Sequence, residues 1–103
     1  MSEYVTDISK FTSNVNEAAV AAVVKYCGIA LRNADSALVS ASDKEELATV
    51  RDGFAAKKLG LTPTAADAGI KAVVEKMKGT AKKSRVTFYY LLAEQTGTLG
   101  KLA

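Results

Sequence analysis

"KKSRVTFYYLLAEQ", residues 82–95, sets three cations directly against a run of large apolar and aromatic side chains. Read as a surface, it would hold a polyanion with its cations while Phe88, Tyr89 and Tyr90 offered stacking faces to bases. Read as a helix, it starts in water at an N-capping Ser84, enters a core at Val86 and stops at Gly97. Successive residues on a helix are turned about 100° apart, so three consecutive aromatics cannot share one exposed strip. Val86, Tyr90 and Ala93 make one apolar stripe, and Phe88, Leu91 and Leu92 a second. The stretch therefore predicts a helix wedged between others, with its cations in a solvated turn. A short strand over residues 86–92 is the alternative, because Val, Thr, Phe and Tyr also suit a pleated surface.

Working outward, the helical period continues through most of the chain. Tyr4, Ile8 and Phe11 fall at i, i+4 and i+7 and predict a short first helix ending near Thr12. "SNVN" breaks it, and Asn14 or Asn16 can cap a second helix over residues 17–32. That helix carries Val20, Val24, Cys27 and Leu31 on one stripe and has Lys25 as its one charge between Glu17 and Arg32. A helix apolar nearly all round is buried on several sides, so it is expected at the centre of the domain. In the loop that follows, Leu38 and Val39 are expected to tuck against the core. Ser42-Asp43-Lys44-Glu45 fits a capping box opening a third helix over residues 42–59, with Leu47, Val50 and Phe54 inward and Gly60 as its left-handed stop. Thr62-Pro63 starts a fourth helix over residues 64–78, with Ile70, Val73, Val74 and Met77 on its inner face. The fold class expected is all-α: one domain, residues 1–103, of about five helices around a central apolar helix, here residues 17–32.

Composition narrows the chemistry. The chain has no histidine and a single cysteine, Cys27, which removes Cys/His zinc sites, imidazole bases, Ser-His-Asp and Cys-His nucleophiles and any internal disulfide. On an apolar stripe, Cys27 is expected to be a buried, inert thiol. The seven glycines are scattered and form no phosphate loop. "SDKEEL" lacks the alternating ligands and central glycine of a calcium loop. Glu45 and Glu46 are neighbours on a helix and diverge, so they read as first-turn acids that suit the helix dipole. No cofactor and no catalysis are expected; an enzyme would need a Lys, Tyr or Ser site assembled only by the fold.

The longest uncharged apolar run, residues 18–24, falls far short of the ~20 residues of a membrane span. Acids stand near the N-terminus where a secretory signal carries cations, so a cytoplasmic protein is expected. Net charge is +3, split as −3 over residues 1–56 and +6 over residues 57–103. Lys76, Lys78, Lys82, Lys83 and Arg85 gather around the turn before the last helix, opposed by Glu75, and are the candidate polyanion site.

Two strings, "GIALRNADSALVSASDKEELATVRDGFAAKKLGL" (residues 28–61) and "KSRVTFYYLLAE" (residues 83–94), resemble a small bacterial protein family known only as a domain of unknown function. The resemblance extends over nearly the whole chain. It implies a bacterial, cytosolic, mostly helical protein and supplies no catalytic residues. The functional expectation is a non-enzymatic protein acting through protein contacts with an unidentified partner or a second copy, as a homodimer, with no membrane partner. Nucleic acid or another polyanion at residues 76–85 is the alternative.

Overall fold

From Arg85 onward the stretch is resolved in favour of the helix. In a computed structural model that describes residues 2–32, 37–80 and 83–102, the last long helix is α5 (Arg85–Gln95). Every residue from Arg85 to Ala93 is buried, on all sides of the helix, and the strand alternative over residues 86–92 is not what forms. The other elements, in chain order, are α1 (Ser2–Ile8), α2 (Glu17–Cys27), a 3₁₀ turn (Gly28–Arg32), β1 (Leu38–Val39) and α3 (Lys44–Val50). A π-helical continuation (Arg51–Lys58), α4 (Pro63–Lys76), β2 (Lys83–Ser84) and, after α5, a 3₁₀ turn (Leu99–Lys101) complete the mostly α fold.

The centre of the fold is α5 and not, as the sequence suggested, residues 17–32. α1, α2, α4 and the π segment all pack on α5. α2 buries Ala19, Val20, Val23 and Cys27 but leaves Ala18, Ala21, Lys25 and Tyr26 exposed. The physical reason is area. An alanine counts as apolar yet gains little from burial, whereas Phe, Tyr and Leu side chains each bring a large surface out of water. Five such residues stand in a row at residues 88–92, and the helix that carries them takes the middle.

α5 also carries polar groups that latch onto its neighbours. Thr87 donates to Asp7 of α1, and the Tyr90 hydroxyl accepts from the backbone N–H of Asn16 at 2.9 Å. Glu94 accepts from Thr12 at 2.6 Å, and Arg85 reaches Glu46 of α3 at 2.5 Å. No described buried side-chain N or O lacks a hydrogen-bond partner. α4 packs tightly against α5 at Gly69, where a Cβ would lie 2.6 Å from Thr96 Cγ2 and 2.8 Å from Leu92 Cδ1.

Several local signals act as the sequence predicts. The Asn16 side chain caps α2 by accepting from the Ala19 N–H at 3.1 Å. Thr62 caps α4, Pro63 occupies its first turn, and Gly60 and Gly97 take positive φ of 68° and 70°. Val39 is buried and Leu38 half-buried. Three local expectations are corrected. α3 is capped by Asp43, whose carboxylate accepts from the N–H groups of Glu45 and Glu46, because the helix begins at Lys44, one residue later than a cap at Ser42 requires. Ser84 sits at the N-cap of α5 but makes no side-chain cap bond, since it lies in β2 and the N–H of Arg85 goes to the Ala37 carbonyl at 2.8 Å. The helix expected over residues 42–59 widens after Val50 into π geometry. Bonding to the fifth residue on lets Phe54 and Leu59, five apart, both turn inward, and the Leu59 N–H indeed reaches the Phe54 carbonyl.

β1 and β2 form a two-residue antiparallel pair, Leu38 opposite Ser84 and Val39 opposite Lys83. Sequence periodicity gave no sign of it. Its effect is to pin the segment before α3 beside the start of α5, and so to place residues 40–42 next to the basic turn.

Candidate functional site

Of the cations singled out in the sequence, the fold draws Lys76 and Arg85 away to partners of their own and leaves Lys78 and Lys83 lining one groove. Lys76 Nζ lies 3.9 Å from Glu94, and Lys78 Nζ lies 3.6 Å from Glu75. Lys83 is half-buried and donates to the Thr80 carbonyl at 2.7 Å. Lys82 lies outside the described residues. Arg85 is not a solvated turn residue at all: it is 9% exposed and turned inward. A guanidinium can afford that position only with partners, and its Nη2 donates to Glu46 and to the Leu38 carbonyl at 3.2 Å while Nη1 donates to the Tyr89 hydroxyl at 2.9 Å. Burial works against its charge, but the Tyr89 oxygen and the Glu46 carboxylate outweigh burial and hold its pKa above the ordinary value.

What the structure does bring together is a groove of about 430 Å³ between residues 39–42 and the C-terminal part of α4. Val39, Ser40, Ala41 and Ser42 form one wall, Val74, Glu75 and Lys78 the other, and Lys83 closes one end. Lys78 and Lys83 were legible in the sequence as members of the basic cluster. The two serines were not, because only the β1–β2 pairing puts them opposite α4. A second groove, of about 310 Å³, runs between α4 and the end of α5 and is lined by Leu61, small α4 side chains, Gln95 and Thr96.

Beside Arg85 lies an aromatic cluster. Phe54 stacks on Tyr89 with ring centroids 4.2 Å apart, and Tyr26 meets Phe54 edge-on at 5.1 Å. Tyr89 is buried, its hydroxyl is held by Arg85, and burial, only partly countered by Arg85, raises its pKa. Cys27 is near enough to feel the Arg85 charge, yet burial dominates and pushes its thiol up to about 11. A rise from 9.0 to about 11 cuts the thiolate fraction at pH 8 by roughly a hundredfold, offset in part by higher intrinsic nucleophilicity. Folded protein should therefore react with a disulfide reagent at pH 8 at least about tenfold more slowly than urea-unfolded protein. Equal rates in a stopped-flow thiol assay would show that Cys27 is open to solvent.

The outer face of α2 is the remaining feature. Ala18 and Ala21 are exposed, Ala22 is half-buried, and Tyr26, at 43% exposure, is the one large exposed apolar side chain among the described residues. Glu17 and Lys25, also exposed, stand toward its two ends. Among the described residues no group of His, Cys, Asp and Glu could hold a metal ion, and no helix is long and apolar enough to cross a membrane.

The chain belongs to the family described as protein of unknown function (DUF2853), whose model matches residues 3–100. No curated protein matches it.

Proposed function

We propose that the protein works without catalysis, as a self-associating module that pairs with a second copy through the outer face of α2. The observation that carries this reading is the composition of that face: small side chains along the helix, one exposed tyrosine, and charges of opposite sign at the ends. Small residues let two helices approach at the closer end of the usual 8–10 Å. Two copies of α2 crossing antiparallel about Ala21 set Glu17 of each opposite the partner's Lys25, so the face is complementary to itself, as a twofold dimer requires. Tyr26, packed edge-on against Phe54, is a rigid aromatic at the margin of that contact.

An 11-residue helix is only about 16 Å long, so the contact is small and its affinity micromolar or weaker. Sedimentation velocity tests it. The 10.8 kDa chain should shift toward twice that mass as concentration rises from about 10 µM to about 1 mM. Ala21→Glu, at an exposed helix position, should keep the fold and the far-UV circular dichroism while placing two carboxylates against each other on the dimer axis, leaving a monomer throughout. A wild-type chain that stays monomeric over the same range would remove the self-association reading.

A further inference from the structure

We propose that the groove between residues 39–42 and α4 is a binding site for a small organic phosphate. The inference is independent of the self-association reading, which concerns another face of another helix.

The groove is rich in donors. Lys83 spends one ammonium proton on the Thr80 carbonyl and has two more to give. Among the described residues Lys78 is held only by Glu75 at 3.6 Å, in an ion pair whose two side chains are each 75% exposed. Such a pair is worth little against solvent, so the ammonium can turn to a better anion at small cost. Ser40 and Ser42 add two hydroxyls from the facing wall. Two ammonium groups as point charges and two hydroxyls lining the same groove suit the oxygens of a phosphoryl group. Val39 and Val74 supply an apolar floor for the non-ionic part of a ligand, and Glu75 can accept from a hydroxyl or amine on that part. A volume of about 430 Å³ is in the range of small-molecule sites.

The same geometry favours a small ligand over a nucleic-acid strand. A strand is held by a row of cations that follows its backbone. Here the row is broken, because Lys76 is turned to Glu94 and Arg85 is buried on Glu46.

Inorganic pyrophosphate and a 12-nucleotide single strand serve as probes, each titrated into ¹⁵N-labelled full-length protein at matched ionic strength. Pyrophosphate should move the amides of residues 39–42, 74–78 and 83 along one saturable curve. Lys78→Ala with Lys83→Ala should weaken that binding by roughly tenfold or more, the effect of losing charged hydrogen bonds, with thermal unfolding monitored to confirm the fold. Ser42→Ala, at an exposed position, is the milder variant and should weaken it less. Shifts that fail to saturate, that fall equally on Lys57, Lys58 and Lys71, or that survive the double substitution would overturn the site. Tighter binding of the strand than of pyrophosphate, growing with strand length, would overturn the assignment to a small ligand.

Discussion

Replacing Tyr90 by alanine should lower the unfolding free energy by about 3–5 kcal/mol, whereas Tyr90→Phe should cost only about 1 kcal/mol. Tyr90 is 1% exposed and is among the largest fully buried side chains of the molecule. Alanine removes its ring from the middle of α5 and leaves a cavity that α1, α2 and α4 can close only partly, since all three are fixed on the same helix. Phenylalanine keeps the ring and removes only the hydroxyl that accepts from the Asn16 N–H at 2.9 Å. That bond joins α5 to the cap of α2, which has its own side-chain bond to the Ala19 N–H and remains near water. Domains of this size are stable by about 5–15 kcal/mol, so the alanine variant should lose about a fifth of that or more. Urea unfolding followed by circular dichroism reads both variants, and the midpoint should fall with the slope unchanged. Similar small losses for both would mean that the ring is not packed at the centre of the fold.

Glu46→Ala should cost about 2–3 kcal/mol and more than Arg85→Met, although arginine is the residue with the larger set of contacts. Glu46 and Arg85 meet at 2.5 Å with side chains 21% and 11% exposed. Removing the carboxylate leaves a charged guanidinium in a site where burial already works against its charge. Removing the guanidinium instead takes the buried charge away, keeps most of the packing volume, and leaves Glu46 close enough to solvent to rehydrate. The penalty is below that of a fully buried pair because water reaches both side chains in part. The urea midpoints of the two variants and of the double variant give the comparison and the coupling energy. A larger loss for Arg85→Met than for Glu46→Ala would show that packing against Tyr89 and the Leu38 carbonyl outweighs the ion pair.

Tyr90 and Arg85 belong to one helix. α5 carries bulky apolar residues on all sides and polar groups at Arg85, Thr87, Tyr90 and Glu94 that fix the register of α3, α1, α2 and the turn after α1. The groove is lined by Val39 of β1 and Lys83 of β2, the strand that leads directly into this helix, so the residues that hold Arg85 in place also hold Lys83 near residues 39–42. Loss of the Glu46 contact would be expected to loosen the groove before it unfolds the chain.

The candidate site was half legible. Lys78 and Lys83 stood out as members of a basic cluster, but nothing near them in the sequence pointed to Ser40, Ser42 or the floor of Val39 and Val74. Arg85 was read as part of the solvated turn because its partners lie 39 and 47 residues away, at Glu46 and the Leu38 carbonyl. Glu46 carried the ordinary signature of a first-turn acid, which its position still satisfies, and no local pattern distinguishes such an acid from one that also reaches across the fold.

By itself the sequence determined the helical class, a cap at Asn14 or Asn16 and the start of α4 at Thr62-Pro63, the stops at Gly60 and Gly97, and the burial of Cys27 and of the run after Arg85. The caps and stops are decided within about one turn of backbone, by a side chain and the N–H groups it can reach, and the class and the buried stripes by the apolar period along a single helix. Tertiary structure alone decided that α5 and not α2 occupies the centre, that residues 38–39 pair with 83–84, that Arg85 turns inward, and that residues 51–58 widen into π geometry. Those outcomes rest on competition between distant segments for the same buried space, and large side chains win it because the free energy of burial follows area and not the number of apolar residues.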